Sequence, residues 1–130
     1  MKLHSATPTS ETIAAYGGGL LRIGADAITH SVVVVAGKGW SPWSCPSFAE
    51  IQPAHIEELA ALGVGLVLLG TGSRQHFPHP SLCRALFERH IALECMTTAA
   101  ACRTFNILVQ DGRDVAAALI MEADSAEQAG

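Results

Sequence analysis

Nine residues of this chain have the types and spacing to hold a small anion: Gly70, Thr71, Gly72, Ser73, Arg74, Thr97, Thr98, Arg103 and Asn106. The first five follow the apolar run Val64–Leu69. Thr97 and Thr98 follow a second apolar run and open a helix. In parallel α/β sheets, ligands gather at the carboxyl ends of strands, and two parallel strands would bring these loops to one edge. The free N–H groups and positive dipole end of a helix suit an anion there. Ser73 adds a hydroxyl and Arg74 a charge. The structural alternative is that the glycines turn the chain and the threonines cap the helix.

Arg103 and Asn106 are three apart, so they share a helix face with Ala99 and Gln110. Cys102, Phe105 and Val109 form the neighbouring apolar stripe. Long side chains on a helix lean toward its N-terminus, so Arg103 is expected to reach the Gly70–Arg74 loop or an anion beside it. As a structural residue it would pair with a carboxylate or cap carbonyls, while Asn106 bonds backbone.

Other constellations are weaker. Cys102 beside Arg103 suggests a lowered thiol pKa, yet it lies on the apolar stripe and reads as a buried, inert thiol. His76, His79 and Cys83 supply only three local metal ligands, so no metal and no cofactor are expected. No Ser-His-Asp order or paired-carboxylate pattern stands out. Trp40 and Trp43 flank Ser41-Pro42 in a stretch that reads as a loop. They are candidates for a protein interface, or lids lying on the apolar sheet.

The elements that position these groups are legible. Leu20–Ile23, a turn at Gly24-Ala25-Asp26 and a β-branched run from Ala27 to Ala36 predict an N-terminal β-hairpin. Gly17-Gly18-Gly19 reads as a flexible turn and not as a phosphate loop. Gly37–Pro46 reads as a loop, rich in Gly, Pro and Ser. Pro53 opens a helix that Gly63 ends. Val64–Leu69, Ile91–Cys95 and Val115–Met121 are predicted as adjacent buried strands of one sheet, the first two parallel. Helices at Ser81–Arg89 and from Thr97 or Thr98 to about Val109 lie between them, and Gly112 closes the second. The pattern predicts one α/β domain with a partly parallel sheet over residues 1–121. A disordered acidic tail is expected over 122–130.

Composition narrows the function. Eight Lys and Arg against twelve Asp and Glu give a net charge of −4, and the bases do not cluster. A nucleic-acid partner is therefore not expected. No apolar run approaches a membrane span. The first eight residues are polar, and four cysteines without a CxxC read as reduced thiols. Together these predict a cytoplasmic protein.

The chain also carries a combined pattern. It comprises Gly70-Thr71-Gly72, Phe77-Pro78, Glu94-Cys95-Met96-Thr97-Thr98, Ala100 to Asn106, Asp111-Gly112-Arg113 and Val115 to Ile120. Tyr16, Gly19, Ile23 and the Trp stretch also fit. Over roughly residues 13–121 it resembles the small Mth-type domain family of unknown function. That family includes the mitochondrial NADH dehydrogenase (complex I) assembly factor three and the adipogenesis-associated Mth-domain proteins. The resemblance implies a three-layer α/β fold around a mixed sheet and no established catalytic activity. It further implies a role in respiratory-complex assembly, which the mitochondrial members have. The expected function is a non-enzymatic protein-interaction or assembly factor with an unidentified protein partner. The alternative is a small-anion ligand-binding domain or an enzyme at the Gly70, Thr97 and Arg103 cluster.

Overall fold

The computed structural model describes residues 12–17 and 19–121. The acidic stretch 122–130, the first eleven residues and Gly18 lie outside the described residues. Eight strands and three α-helices are present among the described residues. The strands are β1 (Ile13–Gly17), β2 (Leu20–Ile23), β3 (Asp26–Ile28), β4 (Val32–Val35), β5 (Gly39–Pro42), β6 (Leu66–Gly70), β7 (Ala92–Met96) and β8 (Val115–Leu119). The helices are α1 (Pro53–Ala60), α2 (Arg84–Glu88) and α3 (Thr98–Gln110).

The larger sheet has the order β5-β4-β8-β6-β7. β6 runs parallel to both β7 and β8, whereas β4 runs antiparallel to β5 and β8. The predicted mixed sheet and the adjacency of its last three strands are therefore present. β1, β2 and β3 form a separate antiparallel meander.

Strand alternation sends side chains to two cores. On one face Val33, Val35, Val67, Leu69, Ala116 and Ala118 meet Ile56 and Leu59 of α1 and Leu86 of α2. On the other, Val32, Val34, Leu66, Leu68, Ala117 and Leu119 meet Ala101, Cys102 and Phe105 of α3. Leu21, Ile23 and Ile28 of the small sheet complete that second core. Helices, sheet, then helix with meander make the three layers. The strand β8 is VAAAL and fully buried. Its small side chains let both outer layers approach the sheet centre closely.

Four expectations change. The run Ala27–Ala36 is not one strand: it breaks after Ile28 and resumes at Val32 in the other sheet. All four valines of β4 are buried, which requires cover on both faces, and the meander has only one such face. The stretch Gly37–Pro46 is not all loop, because Gly39–Pro42 pairs with β4 as a hairpin. β1 adds a third strand to the predicted N-terminal hairpin. β7 is an edge strand with Ala92 and Glu94 exposed, so it is not buried as β6 and β8 are.

Local chemistry accounts for the ends. Pro53 sits in the first turn of α1, where the His55 ring accepts from the Gln52 N–H at 2.9 Å and the His55 N–H donates to the Gln52 carbonyl at 3.0 Å. Arg89 closes the other end, donating to the Ala60 carbonyl at 2.8 Å. Gly112 follows α3 with φ +75°, the left-handed conformation expected of a helix stop. No helix among the described residues is long and apolar enough to cross a membrane.

Candidate functional site

The Gly70–Arg74 loop and the start of α3 do meet at one sheet edge. Their threonine hydroxyls and the Gly72 amide are engaged within the fold. Thr98 is fully buried, and its hydroxyl donates to the Ile120 carbonyl at 2.7 Å. The same oxygen accepts from the Gly72 N–H at 2.9 Å. The Thr98 N–H returns a bond to the Gly72 carbonyl at 2.9 Å. Thr71, also fully buried, donates through its hydroxyl to the Arg74 carbonyl at 2.6 Å and accepts from His76 N–H at 3.1 Å. Its backbone N–H bonds the Met96 carbonyl at 2.9 Å. Thr97 caps α3 by accepting from Ala100 N–H at 3.2 Å. A Cβ on Gly70 would stand 2.9 Å from the Thr98 Cα, so only glycine lets α3 sit this close. The cluster is a hydrogen-bonded knot that ties β6, β7, β8 and α3 together. Ser73 is half-buried and Arg74 exposed at its rim.

Arg103 lies elsewhere. It is exposed and lines a groove of about 240 Å³ between β1 and α3, with Ile13, Ala14, Tyr16, Ala99, Cys102 and Asn106. The expected contact with the Gly70–Arg74 loop is not made, and among the described residues Arg103 has no hydrogen-bonding or ion-pair partner. Helix rotation is the reason. Thr98, Ala101, Cys102 and Phe105 are the buried residues of α3. At about 100° per residue, Arg103 turns roughly 200° away from Ala101, off the sheet. The groove is smaller than the usual ~300–1,000 Å³ of small-molecule sites.

Asn106 takes the structural role. Its Oδ1 accepts from Ile13 N–H at 2.9 Å, and its Nδ2 donates to the Ile13 carbonyl at 2.8 Å. This clamp holds β1 at its bulge, where the register shifts between Ile13 and Ala15. Asn106→Ala is expected to lower stability by about 1–3 kcal/mol and to raise amide exchange in β1 before the larger sheet. Thermal melts and site-resolved hydrogen exchange check this.

The tryptophans separate. Trp43 is 4% exposed, packs in the core and donates to the His55 carbonyl at 3.3 Å. It is a lid on the sheet and leaves the set of surface anchors, because its position after β5 turns it under α1. Trp40 is half-buried on β5 and donates to Asp26 Oδ2 at 3.0 Å, linking the two sheets.

The histidine–cysteine set does not converge on one point. His76 stacks on Phe48 with centroids 4.8 Å apart, His79 pairs with Ser81, and Cys83 is buried. Among the described residues no group of three or more ligands could hold a metal. All four cysteines are free thiols. Burial pushes Cys102 up to about 12, outweighing the opposing pull of Arg103. Cys45 and Cys95 rise to about 11, again by burial first.

A raised folded pKa means that folding favours the neutral thiol. That stabilisation is complete below the unfolded value of 9.0 and is lost as pH rises toward 12. Stability is therefore expected to fall above pH ~9, and Cys102→Ala to remove about 1.4 kcal/mol per pH unit from that slope. Urea unfolding of both proteins across this range checks it.

Gln75 was not singled out from sequence. It donates through Nε2 to the Cys95 carbonyl at 3.0 Å, across twenty residues, and no local pattern signals such a reach.

These features define a class: a small open-sheet α/β domain whose sheet edge is knotted by its own threonines. Residues 13–120 match the family described as protein of unknown function (DUF498/DUF598), and the chain belongs to that family. A crystal structure of a Bordetella parapertussis protein superposes with a TM-score of 0.80 at 32% identity, covering 85% of this chain and 95% of that one. A Bordetella pertussis structure described as a Mth938-like domain has a TM-score of 0.79 at 28% identity, covering 100% of this chain and 98% of that one. NADH dehydrogenase (ubiquinone) 1 alpha subcomplex assembly factor 3 of Bos taurus is 44% identical over 80 residues, 60% of this chain and 44% of the relative. The matched segment thus spans less than half the length of the bovine relative. The family is the one that the sequence pattern resembles.

Proposed function

We propose that this chain is a non-enzymatic interaction module that assists the assembly of a larger protein complex. The observation that carries the reading is the knot: the hydroxyls and the Gly72 amide best placed for a ligand already bond the protein's own backbone. The bovine relative, named as an assembly factor for NADH dehydrogenase, supports it and points to a respiratory complex as the client. The reading includes a reducing compartment, the cytoplasm, supported by four free thiols. The test is deletion of the gene in its source cells, with native gels of the membrane complexes. Reduced amounts of assembled NADH dehydrogenase, restored by the wild-type chain, are expected. Normal assembly overturns the client.

A second reading rests on one observation. Arg103 is exposed beside the groove between β1 and α3. If that groove holds an anion, phosphate raises the melting temperature of the wild type and not of Arg103→Ala. The assembly reading predicts equal, negligible shifts in both.

A further inference from the structure

The larger sheet has two edges, β5 and β7. The ladder bonds decide what each offers. In β7, Ala92 N–H donates to the Gly65 carbonyl, and the Met96 carbonyl accepts from Thr71 N–H. Residues 92, 94 and 96 therefore turn their backbone groups toward β6. Alternation points the N–H and C=O of Leu93 and Cys95 away from the sheet. Gln75 covers one of these four groups, the Cys95 carbonyl. The two N–H groups and the Leu93 carbonyl have no partner among the described residues.

The β5 edge is blunted. Trp43 N–H donates to the Ser31 carbonyl at 3.0 Å, so the bonded pairs run through 33↔41 and 35↔39. Trp40 and Pro42 then face outward. Pro42 has no N–H to give, and the Trp40 indole is tied to Asp26.

We propose that the β7 edge takes up an extended segment of a partner protein by strand addition, with a Lys or Arg of that segment opposite Glu94. The proposal rests on the protein-interaction reading and names its surface. Unsatisfied outward N–H and C=O groups at strand spacing are recognised by another extended backbone. Glu94 is exposed at the middle of β7. A side chain directly opposite it in an added strand would stand ~4.5–5.5 Å away, Cβ to Cβ. Opposite charge stabilises such a pair, and like charge destabilises it. A second copy of β7 paired about Glu94 would set carboxylate against carboxylate, which disfavours self-pairing in that register. Gln75 guards the edge: its amide occupies the Cys95 carbonyl and must swing aside for the incoming N–H.

The experiment selects random peptides, displayed on phage, against the full chain. Synthetic copies of the winners are then bound to isotopically labelled protein. The winners are expected to carry Lys or Arg among apolar residues and to slow amide exchange at Leu93 and Cys95. Glu94→Lys lies on an exposed position and keeps the fold, which its amide spectrum verifies. It should weaken these peptides by about three- to ten-fold. Gln75→Ala should bind them as well as the wild type or better. A footprint elsewhere, indifference to Glu94→Lys, or a library without binders overturns the edge. Protection of Leu93 and Cys95 by concentration alone overturns it in favour of a second copy. A native partner that leaves these two amides unprotected overturns the edge and leaves the assembly reading standing. If deletion of the gene leaves complex assembly unchanged, that reading falls separately.

Discussion

Thr98→Val should destabilise the chain by about 2–6 kcal/mol. Valine keeps the β-branched shape of threonine and puts a methyl where the hydroxyl stood. It removes the oxygen that joins Gly72 N–H to the Ile120 carbonyl, at 2.9 and 2.7 Å. Both backbone groups would then be buried without a partner, at about 1–3 kcal/mol each. Thr98→Ser keeps the hydroxyl and loses one methyl, so it should cost only about 1 kcal/mol. Urea midpoints at an unchanged slope measure both. A valine variant as stable as the wild type would show that the knot carries no stability.

Gly70→Ala should be the second largest loss, about 1–3 kcal/mol. The added Cβ would meet the Thr98 Cα at 2.9 Å, and the Leu119 Cδ2 and Thr98 Oγ1 at 3.0 Å each. Leu119 can rotate aside. The Thr98 backbone cannot, because its N–H is bonded to Gly72 and its carbonyl opens α3. The alanine must lift the helix start off the sheet. That movement also stretches the hydroxyl bonds that Thr98→Val deletes. The two substitutions act on one contact, so the double variant should lose less than the sum of the singles. Strict additivity would mean that the glycine contact and the hydroxyl bonds are independent.

Sequence pattern carried much of this fold because its strongest signals are local. The unbroken apolar run Val64–Leu69 suits a strand covered on both sides, and Leu66–Gly70 is one. Thr97 capping α3 and Gly112 ending it follow from side-chain and backbone chemistry within a few residues. What escaped depends on partners that a segment's own composition does not show. β5 is GWSP, a loop-like composition that becomes a strand because the buried valines of β4 need a neighbour. β1 is IAAYG, with little strand propensity, and is clamped by Asn106 from ninety-three residues away.

The candidate site is legible in position, and there the Thr71 and Thr98 hydroxyls and the Gly72 amide already have partners within the fold. Gly70, Thr71, Gly72, Thr97 and Thr98 do gather at one edge, as parallel strands require. Small residues with hydroxyls suit an anion and a backbone carbonyl equally, so type and spacing alone cannot separate the two. Arg103 shares a face with Ala99 and Asn106, as its spacing requires, but that face lines the groove against β1, and no hydrogen bond joins Arg103 to the Gly70–Arg74 loop. Of the two readings that the Trp stretch allows, interface anchor or lid on the sheet, Trp43 takes the second: its ring covers the core.

On the proposed reading the domain acts by binding protein, and its knotted edge is architecture. The most direct test is native co-purification of the tagged chain from its source cells, with mass spectrometry of proteins and small molecules. The wild type and Arg103→Ala are compared side by side. The account predicts a stoichiometric protein partner, retained by Arg103→Ala, and no stoichiometric small anion. A small anion recovered with the wild type and lost from Arg103→Ala, with no protein partner in either, would contradict it.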